Sequence, residues 1–232
     1  MAVLVLRLAG PLQSWGTDSK YNRRSGGTEP SKSGVIGMIA AAMGRSREEP
    51  VDDLARLRFG VRKDQVGTII TDYHTAHMAG KSEDSFVTYR QYLTDSIFLV
   101  ALEGENEDLN GIQKALESPI YPLYLGRRSC PPCGRICLGI HDGTLVDVLD
   151  GFEWQASEWY RRRMEKQLRL EMIMDSEEGY EINDLPLSFD QNHRRFGRRT
   201  VTFRYCDRVI DNPIGKERFG KTGHDAMAAL RG

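Results

Sequence analysis

Apolar positions along the chain come in short blocks divided by glycine, proline and charge. Residues 2–9 are apolar at nearly every position, the pattern of a buried strand, and Gly10-Pro11 ends it. A polar, glycine-rich loop follows through Gly26-Gly27. Residues 33–43 then run apolar at helical length up to Gly44, a natural residue just past a helix end. Residues 51–57 predict a short helix and 59–62 a strand. Residues 68–76 and 86–93 are rich in Thr, Ile, Tyr, Phe and Val and flank a polar turn at 80–84. Together they predict a long β-hairpin with a polar and an aromatic face. An apolar strand at 97–102, a helix at 107–116 with Leu109, Ile112, Ala115 and Leu116 on one face, and a strand at 136–140 complete this half.

With the hairpin left out, the order is β-α-β-β-α-β. That order predicts an α+β fold, a ferredoxin-like (RRM-like) palm with an inserted β-hairpin thumb at about 68–93. Beyond residue 150 the pattern changes to an aromatic helix at 154–164 and β-like runs at 167–174 and 200–210. The expected division is therefore a palm at 1–150 and a smaller, mostly β unit at 151–232. Fold alone specifies no function.

At 232 residues with 40% hydrophobic and 28% charged side chains, the chain has ordinary globular proportions, which excludes a disordered or collagen-like reading. No run approaches the roughly 18 apolar residues of a membrane span. The first residues carry no basic segment ahead of their apolar run and have Arg7 inside it, so the expected location is the cytoplasm. Four cysteines, three of them clustered at 130, 133 and 137, are expected to be reduced thiols. Net charge is −1, from 32 basic and 33 acidic residues, so no global field draws a polyanion to the chain. Local clustering changes that picture. Arginines pair or triple at 23–24, 127–128, 161–163, 194–195 and 198–199, whereas 171–184 holds acids and no Lys or Arg. Paired arginines suit phosphate or carboxylate partners, or else a salt-bridged surface.

Several local arrangements carry candidate chemistry. After the Gly-Pro break, Gln13, Ser14 and Trp15 would hydrogen-bond a base or phosphate and stack a ring, unless Trp15 simply packs its loop onto the domain. Ser31, Lys32, Ser33 and Gly34 open the first helix with no capping-box Glu or Gln. The expectation is free amides for an anion, against Ser33 as an ordinary cap. The stretches Thr71-Asp-Tyr-His and Tyr89-Arg-Gln-Tyr face each other in the hairpin. They read either as stacking rings and phosphate contacts, or as a metal-free ribonuclease with His74 or His77 as acid or base and Arg90 on the phosphorane. Cys130-Pro-Pro-Cys133 with Cys137 has poor zinc spacing, with only Cys206 or His141 for a fourth ligand, and its prolines suit a turn better than a redox dithiol. Arg127, Arg128 and Ser129, directly after Gly126, read as a phosphate grip.

Five stretches, in order, resemble one family: Leu6-Arg-Leu-Ala-Gly-Pro-Leu-Gln-Ser-Trp-Gly, Pro30-Ser-Lys-Ser-Gly-Val-Ile-Gly, Asp72-Tyr-His-Thr, Arg90-Gln-Tyr-Leu and Tyr124-Leu-Gly-Arg-Arg-Ser-Cys-Pro. The chain is similar to the CasD family, the fifth CRISPR-associated core family, whose members are subunits of the type I-E surveillance complex Cascade. The resemblance covers about residues 2–132 and fits the chain loosely beyond 135. It implies a palm with a projecting thumb. It also implies a protein that holds the 5′ handle of CRISPR RNA, caps the CasC backbone filament and helps seat the large subunit CasA during targeting of DNA. Carried onto this chain, Gln13, Ser14, Trp15, Lys32, Ser33, Gly34, Arg127, Arg128 and Ser129 would form the handle-gripping surface. Tyr73, His74, Arg90 and Tyr92 would support or line the thumb at the guide. No catalytic residue, metal or cofactor is expected. Relatives in the type I-C system cut the CRISPR RNA precursor themselves, so an endoribonuclease is the competing expectation.

Overall fold

A strand apolar on both sides needs a layer on each face, and the fold supplies two. The computed structural model describes residues 2–16, 19–20, 23–24, 27–78 and 81–217, without side chains at 19–20, 23–24, 76–78, 81–84 and 86. Its elements in chain order are β1 (Ala2–Ala9), β2 (Leu12–Gln13), β3 (Ser19–Lys20), β4 (Arg23–Arg24), α1 (Lys32–Ala42), α2 (Asp52–Ala55), β5 (Arg58–Gln65), β6 (Thr68–Met78), β7 (Lys81–Thr94), β8 (Ile97–Gly104), α3 (Asn106–Glu117), β9 (Cys137–Asp142), α4 (Leu145–Gly151), α5 (Glu158–Arg161), β10 (Gln167–Leu168), β11 (Glu171–Ser188), β12 (Arg195–Tyr205) and β13 (Ile210–Asp211).

The main sheet is antiparallel with strand order β12-β11-β5-β8-β1-β9. Four neighbouring strands at one end of it, β5, β8, β1 and β9, are those predicted around the two helices. On one face Leu4, Leu6 and Leu8 of β1 pack with Val35, Ile36 and Ile39 of α1 and Leu109 and Ile112 of α3. On the other, Val3 and Val5 meet Leu99 and Ala101, then Leu145 and Leu149 of α4 and Trp154. Period-2 alternation places these two sets on opposite faces, which is why β1 shows no polar side.

This second layer corrects the expected division at residue 150. The segment from α4 onward covers one face of the main sheet, and β11 pairs with β5 through Met172↔Arg62, Ile173↔Val61 and Met174↔Gly60. The C-terminal strands thus lengthen the same sheet instead of starting a new one. The expected aromatic helix is also shorter, reduced to α5. Helix α4 went unforeseen although Thr144 and Asp147 form a capping box at its start. No helix among the described residues is long and apolar enough to cross a membrane.

A second sheet holds β2, β7, β4 and β3 in that order, with β6 paired to β7. The β6/β7 hairpin runs 68–94, close to the expected 68–93, but residues 81–84 of the predicted turn belong to strand β7, and residues 79–80 lie outside the described residues. The acidic stretch belongs to β11. Asp175 accepts from the Phe59 amide at 2.9 Å, the Lys32 ammonium at 3.0 Å and Arg199 Nη1 at 2.5 Å. Asp184 accepts from the Lys32 amide at 2.8 Å and from Arg199 Nε and Nη2 at 2.5 and 3.0 Å. Burial pulls Lys32 below its usual pKa. Burial also opposes the charge of Arg199, but Asp184 and Asp175 outweigh it and raise that group. Four charges thus bolt the start of α1 to the β11/β12 pair.

Candidate nucleic-acid interface

The hairpin alternates, so its two faces carry different chemistry. In register, Asp72 lies opposite Arg90, Tyr73 opposite Tyr89 and His74 opposite Thr88. Tyr73 and Tyr89 share one face with ring centroids 6.4 Å apart, and Tyr73 is 72% exposed. Asp72, His74, Arg90 and Tyr92 share the other, where His74 Nε2 sits 2.6 Å from Asp72 Oδ2. The four hairpin residues therefore divide, with Tyr73 alone on the aromatic side. The His77 side chain lies outside the described residues.

The loop at 124–130 lies against the root of this polar face. Gly126 has φ +88°, and a Cβ there would strike the Ser14 carbonyl oxygen, so the loop can lie this close only with glycine. Backbone bonds from the Ser14 amide to the Leu125 carbonyl at 3.0 Å and from the Leu125 amide to the Cys130 carbonyl at 2.7 Å fix it. The Arg127 guanidinium then stands 4.8 Å above the Tyr92 ring, a cation–π contact. Burial opposes ionisation of the Tyr92 phenol, but hydrogen bonds with Arg127 and Ser129 bring it below the usual tyrosine value.

Arg90 and Tyr92 are two residues apart on one strand, so Arg127 over Tyr92 is on the same side as Arg90. Both arginines have a buried nitrogen, Arg90 Nε and Arg127 Nη1, with no hydrogen-bond partner among the described residues. A buried N–H left unpaired costs about 1–3 kcal/mol, more on a cation. Two such groups on one face of the hairpin root mark a place for an anion whose oxygens complete them. Arg128 and Ser129 are exposed on the same loop.

The structure places most of the other expected handle residues inside the fold. Trp15 is 1% exposed in the main core, and its Nε1 donates to Gln13 Oε1 at 2.8 Å. Gln13 is fully buried and donates to the Ser96 carbonyl at 2.7 Å and the Leu8 carbonyl at 3.3 Å. Neither has a face or a polar atom left for RNA. Ser14 is nearly buried, its Oγ donating to the Gln91 carbonyl at 3.1 Å. The start of α1 is occupied from within: Ser31, and not Ser33, caps the Gly34 amide at 3.2 Å, and Lys32 is held by Asp184 and Asp175. Gly34 touches the Trp15 ring, where a Cβ would come within 2.9 Å of Cε3. Cys130 and Cys206 lie in hydrophobic clusters on opposite sides of the main sheet, which separates the cysteines considered for a shared ligand set.

Residues 3–202 match the family described as CRISPR-associated protein (Cas_Cas5). The chain is 35% identical to the Cascade subunit CasD of Escherichia coli (strain K12) over 156 residues, 59% of this chain and 70% of that protein. A solved Cas protein matches at 35% identity and TM-score 0.71, over 93% of this chain and 98% of its own. A chain of a solved CRISPR RNA-guided surveillance complex matches at 31% identity and TM-score 0.76, over 98% of this chain and 97% of its own. The antiparallel α/β architecture agrees with both, and the chain belongs to the CRISPR-associated Cas5 family.

Proposed function

We propose that the chain is a non-catalytic subunit of a type I-E Cascade surveillance complex, acting in antiviral defence by holding the 5′ handle of CRISPR RNA. In this reading strands β5, β8, β1 and β9 of the main sheet with α1 and α3 are the ferredoxin-like palm, and the β6/β7 hairpin is the thumb placed at the guide. The palm caps the CasC filament and adjoins CasA, and target DNA is met in the assembled complex. The observation that carries the reading is the pair of buried, unpartnered guanidinium nitrogens on Arg90 and Arg127, with Arg128 and Ser129 beside them. Gln13, Ser14, Trp15, Lys32, Ser33 and Gly34 act behind that surface by holding its loops.

The test is binding of labelled repeat RNA to the purified chain across a salt series, with each sample also run on a denaturing gel. Arg127→Ala/Arg128→Ala is expected to weaken binding and to reduce the slope of log K against log salt by roughly one per lost phosphate contact. Unchanged affinity and slope refute the site. Cleavage at one position, abolished by His74→Ala or Tyr73→Phe, replaces the reading with a processing endoribonuclease.

A further inference from the structure

Away from that face, the chain spends an aromatic ring on solvent. Trp15 and Trp154 are buried, while Trp159 of α5 is 46% exposed. It stands on a rigid support. The Tyr160 hydroxyl accepts from the Val66 amide at 3.2 Å, Arg161 Nε donates to the Ala156 carbonyl at 2.9 Å, and Asn212 Nδ2 donates to the Arg161 carbonyl at 2.8 Å. Tyr160 meets the indole edge-on at 5.8 Å, and the Arg163 guanidinium lies 5.0 Å over it. Of the three consecutive arginines, Arg161 is consumed by main-chain carbonyls and Arg162 by Glu158. Arg163 has no carboxylate partner among the described residues.

Trp159 and Arg163, with Val66, Thr68 and Asp95, line a slot of about 160 Å³ at the root of the hairpin. The volume is below the about 300–1,000 Å³ of pockets that enclose a drug-sized ligand, and suits one flat ring. Asp95 is the one non-glycine among the described residues with positive φ, at +54°. Its amide donates to the Pro11 carbonyl at 3.2 Å, and its carbonyl accepts from Gln65 Nε2. A strained backbone kept by its surroundings is characteristic of ligand clamps. Its carboxylate has no basic partner among the described residues.

We infer that this slot binds one unpaired base of a single-stranded nucleic acid, a second contact separate from the Arg90–Arg127 face. The base stacks on Trp159, Arg163 meets a neighbouring phosphate, and Asp95 accepts from an exocyclic amine. An exposed indole with an arginine and no acidic neighbour on its own helix face is the combination that holds single strands without reading their sequence. The Asp95 acceptor adds a preference for bases that carry an amine over uracil.

Because the other two tryptophans are buried, quenching by a stacked base acts on Trp159, while Trp15 and Trp154 give a constant background. The full chain is titrated with octameric oligoadenylate, oligocytidylate and oligouridylate, reading tryptophan quenching and, with end-labelled strands, anisotropy. Saturable quenching by the adenylate and cytidylate strands is expected, weaker with uridylate. Trp159→Leu is expected to lose about tenfold in affinity for these strands, Trp159→Phe to retain most of it, and Arg163→Gln to lower the salt dependence. Arg127→Ala/Arg128→Ala leaves the quenching in place, so this slot and the handle site fail separately. No saturable quenching, or wild-type affinity in Trp159→Leu of unchanged circular dichroism, overturns the slot. Should Trp159→Leu not fold, an unaltered salt slope in Arg163→Gln overturns it independently. Equal quenching by uridylate removes Asp95 from it.

Discussion

Replacing Asp184 with alanine tests how firmly the acidic strand holds the first helix. Its side chain is 1% exposed and accepts from three donors: the Lys32 amide and two nitrogens of Arg199, whose own side chain is 7% exposed. Alanine leaves Arg199 with Asp175 alone and orphans the Lys32 amide. Breaking a buried pair from one side costs about 3–5 kcal/mol, against a total stability of about 5–15 kcal/mol for a domain. In a chain of this length each kcal/mol shifts Tm by about 2–4 °C, so a fall of roughly 6–20 °C is expected. The assay is urea unfolding followed by circular dichroism, with a thermal scan beside it. Asp207→Ala is the internal control, since its contact with Arg204 is exposed and is expected to cost less than about 1 kcal/mol. A double variant, Arg199→Met/Asp184→Leu, is expected to lose less than Asp184→Ala alone, because it removes the stranded charge as well as the pair. An Asp184→Ala variant within about 1 kcal/mol of the natural chain, or a double variant worse than the single, refutes the bolt.

Trp15→Phe removes the indole donor to Gln13 and part of the core, and is expected to cost about 1–3 kcal/mol in urea unfolding while leaving repeat-RNA affinity unchanged at temperatures where it is folded; lost affinity would return Trp15 to the binding surface. Gly126→Ala must break the φ +88° loop against Ser14, and is expected to lower RNA affinity in the same direction as loss of Arg127, checked by the same salt series. Burial raises the Cys206 thiol to about 11 and pushes Cys130 and Cys137 up from their usual value, whereas Cys133 is exposed, so a disulfide reagent at pH 8 is expected to titrate one thiol in the native chain and four in denaturant. The same raised value means that stability from keeping Cys206 neutral is full below its ordinary value of 9.0 and is lost as pH rises towards about 11, a decline that Cys206→Ala flattens in unfolding measured from pH 8 to 11.

How much of this was legible in the sequence depended on whether the deciding partner was near in the chain. Strand β1, helices α1 and α3 and the hairpin announce themselves by local periodicity, and all lie where they were expected. The closing strands did not, because what makes β11 part of the main sheet is its ladder to β5, more than a hundred residues away, which no local pattern encodes. The clue was the very apolarity of 2–9: a strand with no polar face needs cover on both sides, and only the C-terminal half was left to provide it. Arg127 stands over Tyr92, on the side of the hairpin that carries Arg90, with Arg128 and Ser129 on the same loop. Gln13, Trp15 and Lys32 did not join them, because burial and internal partners decide whether a polar side chain binds or builds, and both are long-range. The acids at 175 and 184 held that answer for Lys32.

The buried residues of the five stretches nevertheless explain why the stretches occur together. Gln13 ties the end of β1 to the start of β8 through Ser96, and Ser14 ties the same loop to β7 through Gln91 and to the 124–130 loop through Leu125. Trp15 is clamped between Gln13 and Gly34, which connects that loop to α1. One short segment therefore sets the distance between the two arginine-bearing elements, Arg90 on the hairpin and Arg127 on its loop. A guanidinium pair accepts one phosphate only at a fixed separation, so precision there must come from rigid neighbours, not from the arginines themselves, whose side chains are long. On a chain with nearly equal numbers of acids and bases, the proposed handle contact has no net charge to draw on and would rest on how rigidly these elements are held.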